Sequence, residues 1–123
     1  MYRPARLTPN KKIEGVILMA NSNKQSDKMP EKQLEYLFLT EVKRVGGMAL
    51  KFVSPGFAGV PDRLVLIPDG KVGFVEVKAP GKHPRPLQTA RHKQLREIGF
   101  KVYVLDNPQQ IPEIIRDIGG DSE

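Results

Sequence analysis

The chain predicts a single α/β domain with a mixed central sheet flanked by helices. Three observations carry that expectation. Stretches with the three-and-four spacing of amphipathic helices are interspersed with short β-branched runs. Two of those runs are joined by Asp69-Gly70, a tight-hairpin signal. A length of 123 residues, 39% hydrophobic and 28% charged, suits one domain with a modest core.

Residues 1–29 are rich in Pro, Asn, Lys and Ser around one apolar patch, VILMA, and show no periodicity, which predicts a flexible N-terminal tail. EGV before ILM resembles a translated ribosome-binding site, which would make Met19 the true start. The folded domain is expected over 30–118, with 119–123 as a C-terminal tail. From Pro30, Leu34, Leu37, Phe38, Val42 and Val45 form one helical face that Gly46 and Gly47 close. MALKFV reads as a strand and SPGFAGVP as a turn-rich loop. DRLVLIP and KVGFVEVK then make the hairpin around Asp69-Gly70. After the loop APGKHPRP, Leu87, Ala90, Leu95 and Ile98 predict the apolar face of a second helix that Gly99 ends. KVYVLD is a buried strand and PQQIPEIIRDIG a short last helix, so the order is α-β-β-β-α-β-α.

The excess of 20 Lys and Arg over 14 Asp and Glu, a net charge of +6, points to a polyanionic partner such as nucleic acid. With no Cys, disulfides, thiolate chemistry and Cys-based zinc sites are excluded. His83 and His92 stand in no ligand spacing and read as loop or helix-surface histidines. No apolar run approaches a membrane span and no signal pattern opens the chain, so a cytoplasmic protein is expected.

The residues that carry chemistry begin at FVEVKAP, where Glu76 and Lys78 share one strand face although desolvating charge is costly. An E-x-K strand end is common, and a solvated ion pair would explain it. Counting outward from the Asp69-Gly70 turn, however, brings Asp62 opposite Glu76 to within a residue of register. Two carboxylates that close repel unless a cation lies between them. Hard oxygen ligands with no His or Cys nearby suit Mg²⁺ or Mn²⁺. Lys78 can position or deprotonate an attacking water or steady charge on a phosphate. Val77 turns its side chain to the other face but leaves its carbonyl available as an oxygen ligand. The small residues of SPGFAGVP would let a nucleic acid backbone approach. Lys82, His83 and Arg85 on the following loop, with Arg91, His92, Lys93 and Arg96 on the next helix, would form a basic rim for phosphates.

Taken as a set, a helix with Glu31 and Glu35, then GVPD, a turn, FVEVKAPG, and PLQ opening the next helix have the order and spacing of the PD-(D/E)xK nucleases. From Glu31 to Asp106 the chain closely resembles the VRR-NUC family, whose members look like archaeal Holliday junction resolvases in fold. The resemblance implies a restriction-endonuclease-like core, α-β-β-β-α-β, and Mg²⁺- or Mn²⁺-dependent cleavage of DNA, branched DNA in particular. It implies that Asp62, Glu76 and the Val77 carbonyl bind the metal, that Lys78 is the catalytic lysine, and that Gln88 orients the water or a phosphate. The acid of the first helix falls on Glu31 or Glu35; the spacing to Gly46 favours Glu35, which then joins the metal ligands. Lys82, Arg85, Arg91 and Lys93 are the expected DNA contacts. A homodimer is also implied, with Tyr36, Phe38, Ile114 and Ile115 as candidates for its surface because they are apolar on helices. A DNA-binding module with an idle site and a purely structural domain are the competing readings.

Overall fold

The computed structural model describes residues 29–120. Residues 1–28 of the expected tail 1–29, with its apolar patch and the start at Met19, and residues 121–123 of the expected C-terminal tail lie outside the described residues. Helix α1 (Glu31–Arg44) leads to strands β1 (Met48–Lys51), β2 (Arg63–Ile67) and β3 (Lys71–Val77). Helix α2 (Pro86–Glu97), strand β4 (Lys101–Leu105), a 3-10 turn (Pro108–Gln110) and helix α3 (Ile111–Ile118) complete the domain. The sheet order is β1-β2-β3-β4, antiparallel through the first three strands and parallel between β3 and β4. This is the mixed sheet and the element order that the sequence predicts. The helical crossover through α2 is what lets β4 run parallel to β3.

The two faces of the sheet differ in chemistry. One face presents Val65, Ile67, Val75, Val77 and Leu105 to α1 and α3, forming the dry core. Helix α3 supplies Ile111, Ile114, Ile115 and Ile118, spaced three, four and seven apart so that all four point the same way. Helix α1 supplies Leu34, Leu37, Phe38, Val42 and Val45. Burying a side chain of this size contributes about 1.5 to 3 kcal/mol, so this face dominates the stability. Its demand for apolar residues overturns three of the candidate dimer contacts: Phe38, Ile114 and Ile115 are inside this core, and of the four only Tyr36 is exposed. Met29, assigned to the tail by its neighbours' composition, is also buried here.

The other face carries Phe74, Glu76 and Val102 and is covered by α2. Here the expected apolar face of the helix is corrected. Gln88 and His92 point inward, Leu95 is half-buried, and Leu87, Ala90 and Ile98 are exposed. The reason is the surface underneath: α2 lies beside a strand end that bears a carboxylate, so its polar residues turn toward the sheet. Phe74 packs against Phe52 at 5.5 Å and edge-on against Phe100 at 5.9 Å, which gives this face a small aromatic anchor.

Two glycines allow the layers to approach. A Cβ on Gly73 would lie 2.7 Å from Ile118 of α3, and one on Gly47 would lie 2.5 Å from the backbone oxygen of Leu66. Because the obstacle at Gly47 is backbone, it cannot turn aside as a side chain would. Gly47→Ala is therefore expected to destabilise the domain by about 1 to 3 kcal/mol, the usual cost of overpacking, without altering the sheet order. Thermal melting of the purified variant checks this, and an unchanged midpoint would mean that the α1–β1 junction can shift freely.

Candidate active site

The hairpin sets the first pair of residues. Arg63 pairs with Val75 and Ile67 with Lys71, so the connection is Pro68, Asp69 and Gly70, one residue longer than the two-residue turn the sequence suggests. Asp69 and Gly70 both adopt positive φ, 72° and 74°. Extending that register by one step places Asp62 opposite Glu76. Asp62 is pinned from both sides: its carbonyl accepts from Phe52 N at 2.8 Å, and its Oδ2 accepts from Val77 N at 3.0 Å.

Strand β3 and its continuation supply the rest of the E-x-K pattern. Glu76 is 1% exposed, and Lys78 on the same face brings Nζ to 3.3 Å from Glu76 Oε2. Val77 lies between them with its side chain in the opposite core, as alternation requires. Helix α2 arrives from above. Gln88 is buried, donates from Nε2 to Glu76 Oε2 at 3.0 Å, and accepts from Arg85 N at 2.8 Å through its own oxygen. The structure thus brings Asp62, Glu76, Lys78 and Gln88 together.

Sequence reasoning placed His92 on the helix surface, in the basic rim. It is 2% exposed, not on the helix surface, and its Nε2 lies 3.9 Å from Glu76 Oε1. The available signal was its spacing of four from Gln88, which puts both on one face of α2. A histidine therefore stands beside the carboxylates after all.

Burial, the nearby Asp62 charge and the contact between the two carboxyls push Glu76 up to about 7, against the opposing pull of Lys78. For His92, burial and the cationic Arg96 and Lys78 favour the neutral imidazole, with Asp62 opposing them. The site is thus short of positive charge at Glu76. Glu76 Oε1 is also buried without a hydrogen-bond partner. Both features fit a hard cation held by carboxylate oxygens. Among the described residues no three acidic or imidazole side chains converge as a full metal cage. Two carboxylates nevertheless suffice for Mg²⁺, which fills its remaining positions with water and phosphate oxygens.

The outer residues divide. Glu35 is half-buried and pairs with Arg63, the neighbour of Asp62, at 3.3 Å, while Glu31 is exposed. Lys82, Arg85 and Lys93 are exposed. The Arg91 guanidinium lies over the Phe57 ring at 3.8 Å and donates to Ala58 O at 2.8 Å and to Gln94 at 3.0 Å. Arg96 donates twice to Val102 O, tying α2 to β4. Gly59 sits so close to Leu87 that a Cβ would lie 2.9 Å from its Cγ, so this glycine serves the contact between the loop and α2.

No protein-family model matches the chain. The "Putative nuclease p44" of Acyrthosiphon pisum secondary endosymbiont phage 1 is 52% identical over 77 residues, 63% of this chain and 83% of that protein. A solved structure described as a VRR_NUC domain is similar at 31% identity with a TM-score of 0.66, over 70% of this chain and 94% of that one.

The state of Glu76 has a consequence for stability. Its folded value of about 7 lies above the ordinary 4.5, so the folded protein binds the extra proton. That contribution is full below about pH 4.5 and is lost as the pH rises through about 7. In chelator, the melting temperature is expected to fall over that window, and Glu76→Gln to flatten the slope. An equal slope in the variant would assign the effect to another group.

Proposed function

Because this chain belongs to the VRR-NUC family of nucleases, we propose that it is a metal-dependent endonuclease that hydrolyses phosphodiester bonds in DNA. The observation that carries this reading is the placement of Asp62 opposite Glu76, with Lys78 and Gln88 on the same carboxylate. Asp62, Glu76 and the Val77 carbonyl would hold Mg²⁺ or Mn²⁺, with Glu35 as a further acid positioned through Arg63. When bound, such an ion polarises the phosphate and makes a water acidic enough to attack.

The chain's own residues then have distinct tasks. Lys78 orients or deprotonates the water and steadies the charge that develops on the phosphate. Gln88 fixes the Glu76 carboxylate and in turn helps order what binds there. Lys82, Arg85 and Lys93, with Arg91 beside the loop, neutralise the DNA backbone; such contacts position the substrate and read no sequence.

Branched DNA is the proposed substrate class, and a homodimer the working form, since symmetric cutting of two strands needs two sites. A cytoplasmic location goes with this reading. No helix among the described residues is long and apolar enough to cross a membrane.

The test is cleavage of labelled four-way junction and linear duplex by the wild type and Lys78→Ala in Mg²⁺, Mn²⁺ or EDTA. Metal-dependent cutting is expected, fastest on the junction, with Lys78→Ala slower by about 100-fold or more. Binding by both proteins with cutting by neither would replace the enzyme with a DNA-binding module. Equal cutting of both DNAs would remove the preference for branches, and a monomer in sedimentation would remove the dimer.

A further inference from the structure

We infer that His92 is a positioning residue for Glu76: its Nε2–H holds Glu76 Oε1 while Gln88 holds Oε2, so that helix α2 clamps both oxygens of the carboxylate. The inference rests on the metal-dependent reading above and adds to it a residue outside the E-x-K pattern.

The geometry carries the argument. Glu76 Oε2 already has Gln88 at 3.0 Å and Lys78 at 3.3 Å. Glu76 Oε1 and His92 Nε2 are both buried, both without a hydrogen-bond partner, and 3.9 Å apart. That gap is longer than a hydrogen bond and too short for a water to bridge, because two hydrogen bonds in series span about 5 Å. The two atoms can therefore satisfy one another directly, by a small rotation of the carboxylate or the ring. Buried polar groups are almost always paired, and Glu76 Oε1 is the unpaired acceptor within reach of His92 Nε2.

His92 follows Gln88 by one helical turn, so a single rigid helix presents both donors to one carboxylate. To serve Oε1 the imidazole must carry a proton on Nε2, which leaves Nδ1 as the acceptor when the ring is neutral.

Each carboxylate oxygen has two lone pairs. With Gln88 and Lys78 on Oε2 and His92 on one pair of Oε1, the plane of the carboxylate is set and the second pair of Oε1 stays free for a cation shared with Asp62. Partners of this kind orient a ligand without touching the metal, and their loss typically weakens metal binding by about 10- to 100-fold. A residue that merely filled space would not act in this way.

The experiment is a Mn²⁺ titration of the DNA-free protein, followed by electron paramagnetic resonance, on the wild type, His92→Leu and His92→Gln. His92→Leu keeps an apolar filling but loses the donor, and is expected to bind Mn²⁺ about tenfold more weakly. His92→Gln, whose amide nitrogen reaches a similar place, is expected to recover most of the affinity. In parallel, nitrogen NMR of the wild-type imidazole is expected to show the Nε2–H tautomer.

Wild-type affinity in His92→Leu, or a proton on Nδ1, overturns the inference while leaving the nuclease intact. A wild type that binds no Mn²⁺ and cuts no DNA overturns the nuclease reading and this inference with it. If His92→Leu fails to fold, the tautomer measured on the wild type decides.

Discussion

The register between β2 and β3 is the constraint on which the site depends. Strand side chains alternate with a period of two, so a slip of one residue would send Glu76 into the core and bring Val77 to the surface. The three-residue connection over Pro68–Gly70, with Asp69 and Gly70 at positive φ, sets that register. Asp69 pays a modest conformational cost for its left-handed backbone, which Asn and Asp tolerate better than most residues. The same register places Asp62 where a backbone N–H of β3 meets its side chain, so the loop before β2 is locked to the strand after the turn.

Around this hairpin the domain separates stability from chemistry. The face under α1 and α3 is built from aliphatic side chains that need no partners beyond close packing. The face under α2 buries a carboxylate, an amide and an imidazole, each of which needs a hydrogen bond or a compensating charge. Such a cluster contributes little to stability by itself. It persists because the apolar face opposite, the Phe52–Phe74–Phe100 contacts and the Arg96 bridge to Val102 hold α2 in place. Arg91 extends the same function outward, joining α2 to the loop that precedes Asp62 through Phe57 and Ala58.

Electrostatics and packing thus meet at Glu76. Burial alone would favour its neutral form, and the Asp62 charge adds to that preference. Lys78 and Gln88 offset part of the cost on one oxygen, leaving the other for a further partner. The deficit of positive charge at Glu76 and its unpartnered oxygen are what make the site fit a cation.

The element order, the hairpin and the juxtaposition of Asp62 with Glu76 and Lys78 were legible along the chain, because turn residues and strand alternation act over a few positions. So was Gln88, through the spacing of the family motif it resembles. The exact register was not, since a longer connection of the same composition moves it by one residue. Nor was the orientation of α2: Leu87, Ala90, Leu95 and Ile98 form an apolar helical face, yet the helix turns Gln88 and His92 inward. Amphipathicity assumes that the surface beneath a helix is apolar, and only the assembled sheet reveals that this one ends in a buried carboxylate. His92 became part of the site for the same reason, as did the burial of Phe38, Ile114 and Ile115, since which face meets which is settled by long-range packing and not by local spacing.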